Sequence, residues 1–233
     1  MRIGKAFLFT FLYYIGLEIL SLLDVVYIFS SSDNYEVFLW IFSFLELVKS
    51  LIAAILLVVI LKSIRGLSSY SFKFRTFESD HIFLAIGCGF LMVYLRALNN
   101  YCIYQLPWMP PYVEIGSGFV DFQYHYIPEI IATTLVVPVT EELLFRGYLF
   151  KKMLKKYEVY LAIALSSILF AAVHANFYSF GVSSMINTIF IFLAGLIAGS
   201  IYLKTRKIMY PILFHVSWSL FINLSSYLKM PFL

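Results

Sequence analysis

The chain has 233 residues, of which 62% are hydrophobic and only 13% charged, with a mean hydropathy of +0.88. Such a balance is far too apolar for a soluble domain of this length and predicts a polytopic membrane protein. The net charge of +4 is accounted for by short connections on one side of a bilayer, so it is not read as nucleic-acid binding. Cys88 and Cys102 form no CxxC pair and lack metal-ligand spacing to a histidine, which leaves them as incidental thiols.

A spanning helix needs about 20 apolar residues. Seven segments qualify in chain order: 6–29, 37–61, 82–98, 127–150, 160–177, 185–203 and 209–228. Arg2 and Lys5 precede the first, as in a signal peptide, but the apolar run is too long for an h-region and has no small-residue cleavage site, so it reads as a retained helix. Glu18, Asp24, Glu46 and Lys49 fall inside the first two segments. Glu46 and Lys49 are three apart on one helix face and are expected to pair.

Basic residues mark the orientation. Arg2 and Lys5, then Lys62, Arg65, Lys73 and Arg75, then Lys151, Lys152, Lys155 and Lys156, then Lys204, Arg206 and Lys207 flank alternate ends, whereas 30–36, 99–126 and 176–184 hold no Lys or Arg. The expectation is a multi-pass cell-membrane protein with a cytoplasmic N-terminus and an external C-terminus. The stretch 70–80, with Phe72, Phe74 and Phe77 among its cations, reads as an interfacial segment drawn to anionic lipid. The connection 99–126 holds Pro107, Pro110, Pro111 and Trp108 and reads as an aromatic loop at the interface.

Against this background Glu141, Glu142 and Arg146 stand out in the fourth segment, because charge within a bilayer is costly and usually marks a function. Glu142 and Arg146 are four apart and can neutralise each other. Glu141 points about 100° away and has no such local partner. His174 and His215 are the histidines within later apolar segments, whereas His81 and His125 lie at boundaries. Glu141 precedes Lys151 by ten residues and His215 follows Lys207 by eight, so both lie roughly 12 to 15 Å from one boundary. His174 reaches that level if the fourth and fifth helices form a hairpin with its tip near Tyr157. Gly195 and Gly199 give the sixth helix a GxxxG face, expected to bring the seventh helix and His215 close to that hairpin. Ser219 and Asn223 extend the His215 face.

A glutamate with two histidines can act on water directly, or around a metal whose bound water is the nucleophile. HExxH, GxSxG and the P-loop are absent, which leaves hydrolysis in a wet intramembrane pocket as the best match of reaction to residues.

Four stretches carry a family resemblance. Glu141-Glu142-Leu143-Leu144-Phe145-Arg146-Gly147 resembles an EExxxR motif, and Phe170-Ala171-Ala172-Val173-His174 an FxxxH motif. The stretch 192–206, with Gly195, Gly199 and Thr205, and the run Pro211-Ile212-Leu213-Phe214-His215 complete the pattern. Together they resemble the CAAX protease and bacteriocin-processing (Abi) family of intramembrane endopeptidases over about 127–228. With the seven apolar segments this gives an all-α bundle of about seven transmembrane helices, with N-terminal helices and the aromatic loop in 1–126 and, as the resemblance implies, a protease core in the last four helices (127–233).

The same resemblance implies that Glu141 activates water, that His174 and His215 assist it or, with Glu141, bind a divalent metal such as zinc, and that Glu142 and Arg146 hold the geometry. Its partners are then a peptide or protein substrate and membrane lipid, with no nucleic acid. One position departs: the family's HxxxN or HxxxD ends here in Ser219, whose hydroxyl donates over a shorter reach than an amide. This departure motivates an alternative, a non-proteolytic membrane immunity or regulatory protein that binds a bacteriocin or signalling partner. A transporter using the N-terminal charges ranks third, since no discontinuous helices or repeated halves accompany them.

Overall fold

The computed structural model describes residues 4, 6, 8–10, 12–16, 35–63, 78–104, 126–175 and 182–227. Glu18, Asp24, His125, the basic run 62–75 beyond Ser63 and most of the 99–126 loop lie outside them. The described residues are almost all helical and include no strand. After the helical residues within 4–16, the elements are α1 (Tyr35–Ser63), α2 (Ser79–Tyr104), α3 (127–153), α4 (Val159–His174), α5 (Val182–Thr205) and α6 (Met209–Tyr227).

Among the described residues, three helical stretches are long and apolar enough to cross a membrane, Leu39–Leu61, Ser79–Asn99 and Ser184–Thr205. Their outward faces carry large apolar side chains such as Ile55, Phe83 and Met185, as a bundle solvated by lipid requires. α2 outruns its apolar segment at both ends, because a helix continues past the point where hydropathy falls. Glu46 and Lys49 pair on α1 at 2.7 Å, and Cys88 and Cys102 are free thiols.

α3 is the central element, and it is not a uniform α-helix. The turns at Ala132–Val136 and Leu143–Phe150 are π-helical. Pro138 follows the first of these; lacking an N–H and crowding the preceding turn, proline commonly disturbs the ladder. The second begins directly after Glu142, and π turns are frequent at functional sites. Residues 144–150 are all buried, so this part of α3 is wrapped on every side.

The tip of the α3–α4 hairpin falls at 154–158, closed by hydrogen bonds from the Lys156 and Tyr157 amides to the Met153 carbonyl. This is the turn that the sequence needs in order to level His174 with Glu141. The glycine face of α5 acts differently from expectation. A Cβ on Gly195 would meet Ser167 of α4 at 2.9 Å, and one on Gly199 would meet Ile163 at 3.4 Å. The small face thus seats α5 on α4. α6 owes its close approach to Gly89 of α2 instead, where a Cβ would collide with Ser217 and approach the Phe214 carbonyl at 3.0 Å.

Candidate active site

Glu141 and Glu142 are both buried on α3, yet they enter different surroundings. Glu142 Oε1 accepts a hydrogen bond from Arg146 Nη1 at 2.8 Å and one from His215 Nδ1 at 3.1 Å. Arg146 Nη2 donates to the Gly195 carbonyl at 3.0 Å, so the ion pair ties α3 to α5 and α6. The guanidinium lies 4.6 Å from the centre of the Phe170 ring. That ring contacts His174 and His215 at centroid distances of 4.6 and 5.7 Å. Phe170 of the FxxxH stretch is therefore the apolar wedge between the ion pair and both imidazoles.

Glu141 receives the other ends of those imidazoles. His174 Nε2 is 3.2 Å from its Oε1, and His215 Nε2 is 3.8 Å from its Oε2. The opposite ring nitrogens are committed. His174 Nδ1 contacts the Phe170 carbonyl at 2.8 Å, and a carbonyl only accepts, so Nδ1 carries the proton. His215 Nδ1 faces the paired carboxylate of Glu142 in the same sense. In the neutral rings both Nε2 atoms then turn lone pairs toward Glu141, an arrangement that becomes favourable when a proton or a donating water lies between them.

A third contact comes from the first helix, which the sequence did not connect to the site. The Tyr14 hydroxyl donates to Glu141 Oε1 at 3.2 Å. Glu141 Oε2 is buried and has no hydrogen bond among the described residues.

Glu141, Phe170, His174 and His215 line a cavity of about 300 Å³, together with Thr133, Val137, Pro138, Asn187, Ile191, Trp218, Ser219, Ile222 and Arg96. Ser219 thus borders the same space as the imidazoles. Asn223 does not; its amide donates to the hydroxyls of Thr133 and Thr134 at 3.3 and 2.7 Å, fastening α6 to α3. Arg96 was missed although a charge inside an apolar segment is itself the signal. Tyr14 had no signal at all, being one of 18 tyrosines.

The tautomers leave Nε2 free on both histidines with Nδ1 held by an acceptor, as metal-ligating imidazoles are held. Geometry is less accommodating, since no group of three His, Cys, Asp or Glu side chains among the described residues is gathered as a metal site would gather them. The donor set therefore does not close round a metal in this arrangement, and the chemistry is derived from side chains and water.

The bundle and this cavity define a helical membrane protein with a carboxylate and two imidazoles converging inside it. Residues 123–221 match the family model for type II CAAX prenyl endopeptidase, Rce1-like. Neither a curated protein nor a solved structure matches the chain.

Proposed function

We propose that the protein is an intramembrane endopeptidase that hydrolyses a peptide bond of a membrane-associated protein or peptide. The observation that carries this reading is the convergence of both Nε2 atoms on Glu141 within a cavity, beside a second carboxylate whose Oε1 is held in an ion pair. Glu141 takes a proton from water as the water oxygen bonds to the substrate carbonyl carbon. The tetrahedral oxyanion accepts hydrogen bonds from a protonated imidazole Nε2 and from Ser219. Glu141 then returns the proton to the amine as the C–N bond breaks, so one carboxylate serves as base and then as acid. Glu142 and Arg146 fix the His215 ring through Nδ1. In this reading 127–233 forms the protease core, and the basic connections face the cytoplasm with the N-terminus.

The test uses purified full-length protein and a pooled synthetic peptide library, with products identified by mass spectrometry. Wild type cuts a subset of peptides, and Glu141→Ala and His174→Ala variants that still insert lose that cleavage; EDTA leaves it unchanged. Undiminished cleavage by both variants would sink the assignment, and loss with EDTA would move the chemistry to a metal.

A second reading follows from Ser219 standing where the family has Asn or Asp while Asn223 is engaged with Thr133 and Thr134. It makes the protein a non-proteolytic immunity or regulatory partner of a bacteriocin or signalling complex. Protection or signalling at wild-type level by a normally expressed Glu141→Ala variant favours it over the enzyme.

A further inference from the structure

Glu141, His174 and His215 stand at one end of the cavity rather than in its middle. On α3 the other lining residues are Thr133, Val137 and Pro138, all before Glu141; on α6 they are Trp218, Ser219 and Ile222, all after His215. These directions agree in space, because α3 runs toward its basic end at Lys151 and α6 starts from the connection that holds Lys207. Along the helix axes Thr133 lies about 12 Å from Glu141 and Ile222 about 10 Å from His215. α5 lines the space with Asn187 and Ile191, from the half of the helix away from Lys204.

The opposite direction is dry. From Glu141 toward the basic connections come Leu144, Phe145, Leu149 and Phe150, which join Tyr210 and Phe214 of α6 in one buried cluster, each at most 1% exposed. The Phe150 ring meets Tyr202 of α5 edge to face at 6.0 Å, and beyond it Glu78 and Lys207 tie the helix ends together at 3.1 Å. A hydrated peptide has no way through such a plug, because its backbone groups would go unpaired. The long side of the cavity offers Thr133, Asn187 and Ser219 instead, hydroxyls and an amide that can bond water or a peptide backbone.

We infer that water and substrate reach Glu141 from the end of the bundle opposite the basic connections, so that the protein cuts a chain that has already crossed the membrane. The cut rests on the endopeptidase reading, and the side rests on the rule that connections rich in Lys and Arg face the cytoplasm. The substrate is then an exported peptide or the external part of a membrane-anchored one. The reaction that must supply it is translocation of its precursor across the membrane, and a protein confined to the cytoplasm is not a substrate.

Cysteine accessibility reads the entry side, in sealed right-side-out membrane vesicles that hold the full-length protein. Cys88→Ala and Cys102→Ala provide the background, and a charged maleimide that does not cross membranes is the probe. Asn187→Cys should be labelled in the sealed vesicles, whereas Lys155→Cys, at the exposed hairpin tip, should be labelled only after permeabilisation. A sealed preparation that leaves Asn187→Cys unlabelled overturns the inference, and so does one that labels Lys155→Cys. Cleavage is read with a peptide pool that detergent-solubilised wild type cuts, added outside right-side-out or inverted vesicles, with Glu141→Ala as the blank. Right-side-out vesicles should cut the pool and inverted ones should lose that cleavage; inverted vesicles that cut as well or better overturn the inference and leave the endopeptidase reading standing. Should the solubilised protein cut nothing, the endopeptidase reading fails by itself, and the maleimide still decides the side from which the cavity is reached.

Discussion

The two sides of α3 carry adjacent glutamates and treat them in opposite ways. On the closed side Glu142 has Arg146, His215 and, through Arg146, the Gly195 carbonyl. On the cavity side Glu141 has one hydroxyl donor and two imidazole nitrogens, with Oε2 unbonded among the described residues. Glu142 Oε2 and Arg146 Nε likewise lack a hydrogen bond among the described residues, so the difference lies in the surroundings: groups locked in an ion pair hold helices together, whereas groups that line a cavity are available for chemistry. The same contrast separates Arg146 from Arg96.

The closed side breaks with the largest effect. Arg146→Ala leaves Glu142 buried without its cation and should destabilise the bundle by about 3–5 kcal/mol. Thermal unfolding in detergent reads this directly, and a wild-type midpoint would mean that the ion pair does not hold the helices. On the cavity side, Tyr14→Phe removes one charge-assisted hydrogen bond from Glu141, about 1.5–3 kcal/mol. It should slow peptide cleavage about tenfold or more while lowering the unfolding midpoint less than Arg146→Ala does. An unaltered rate would show that the first helix only packs beside the site.

The smallest effect lies at the surface, where Glu78 joins the start of α2 to the α5–α6 connection. Its carboxylate contacts Lys207 Nζ at 3.1 Å and His81 Nδ1 at 2.7 Å, and its amide donates to the Tyr210 hydroxyl at 3.0 Å. The hydrogen bond and charge of Lys207 hold the Glu78 carboxyl below its ordinary value of 4.5. Folding thus favours the ionised form, so this contact contributes above that value and is lost as the pH falls below it. A modest drop in unfolding midpoint on acidification, reduced in Glu78→Gln, is the expected result. The same midpoint profile in both proteins would remove the contact from the account.

Much of this arrangement is legible in the chain. The apolar segments specify the helices because each must satisfy its own backbone in lipid. The spacing of Glu142 and Arg146 specifies their ion pair, and counting residues from the basic connections places Glu141 and His215 at one level, which His174 joins once the α3–α4 hairpin turns near Tyr157. What the chain conceals depends on contacts between distant helices. Tyr14 reaches Glu141 across 127 positions. Gly89 looks like any small residue until Phe214, Ser217 and Trp218 are seen against it. Gly195 and Gly199 do mark a close crossing, but a GxxxG face does not specify its partner, and here the partner is α4. The π turns of α3 are equally hidden, because the residues from Leu143 to Phe150 are good α-helix formers apart from Gly147.

The most direct test compares Glu141→Gln with Glu142→Gln in the same preparation, measuring peptide cleavage and thermal unfolding for each. Glu141→Gln should lose at least about 100-fold in rate, the scale of a positioned general base, with an unfolding midpoint close to wild type. Glu142→Gln should lower the midpoint. Wild-type cleavage by a stable Glu141→Gln protein would contradict the division between the two carboxylates and, with it, the proposed role of Glu141.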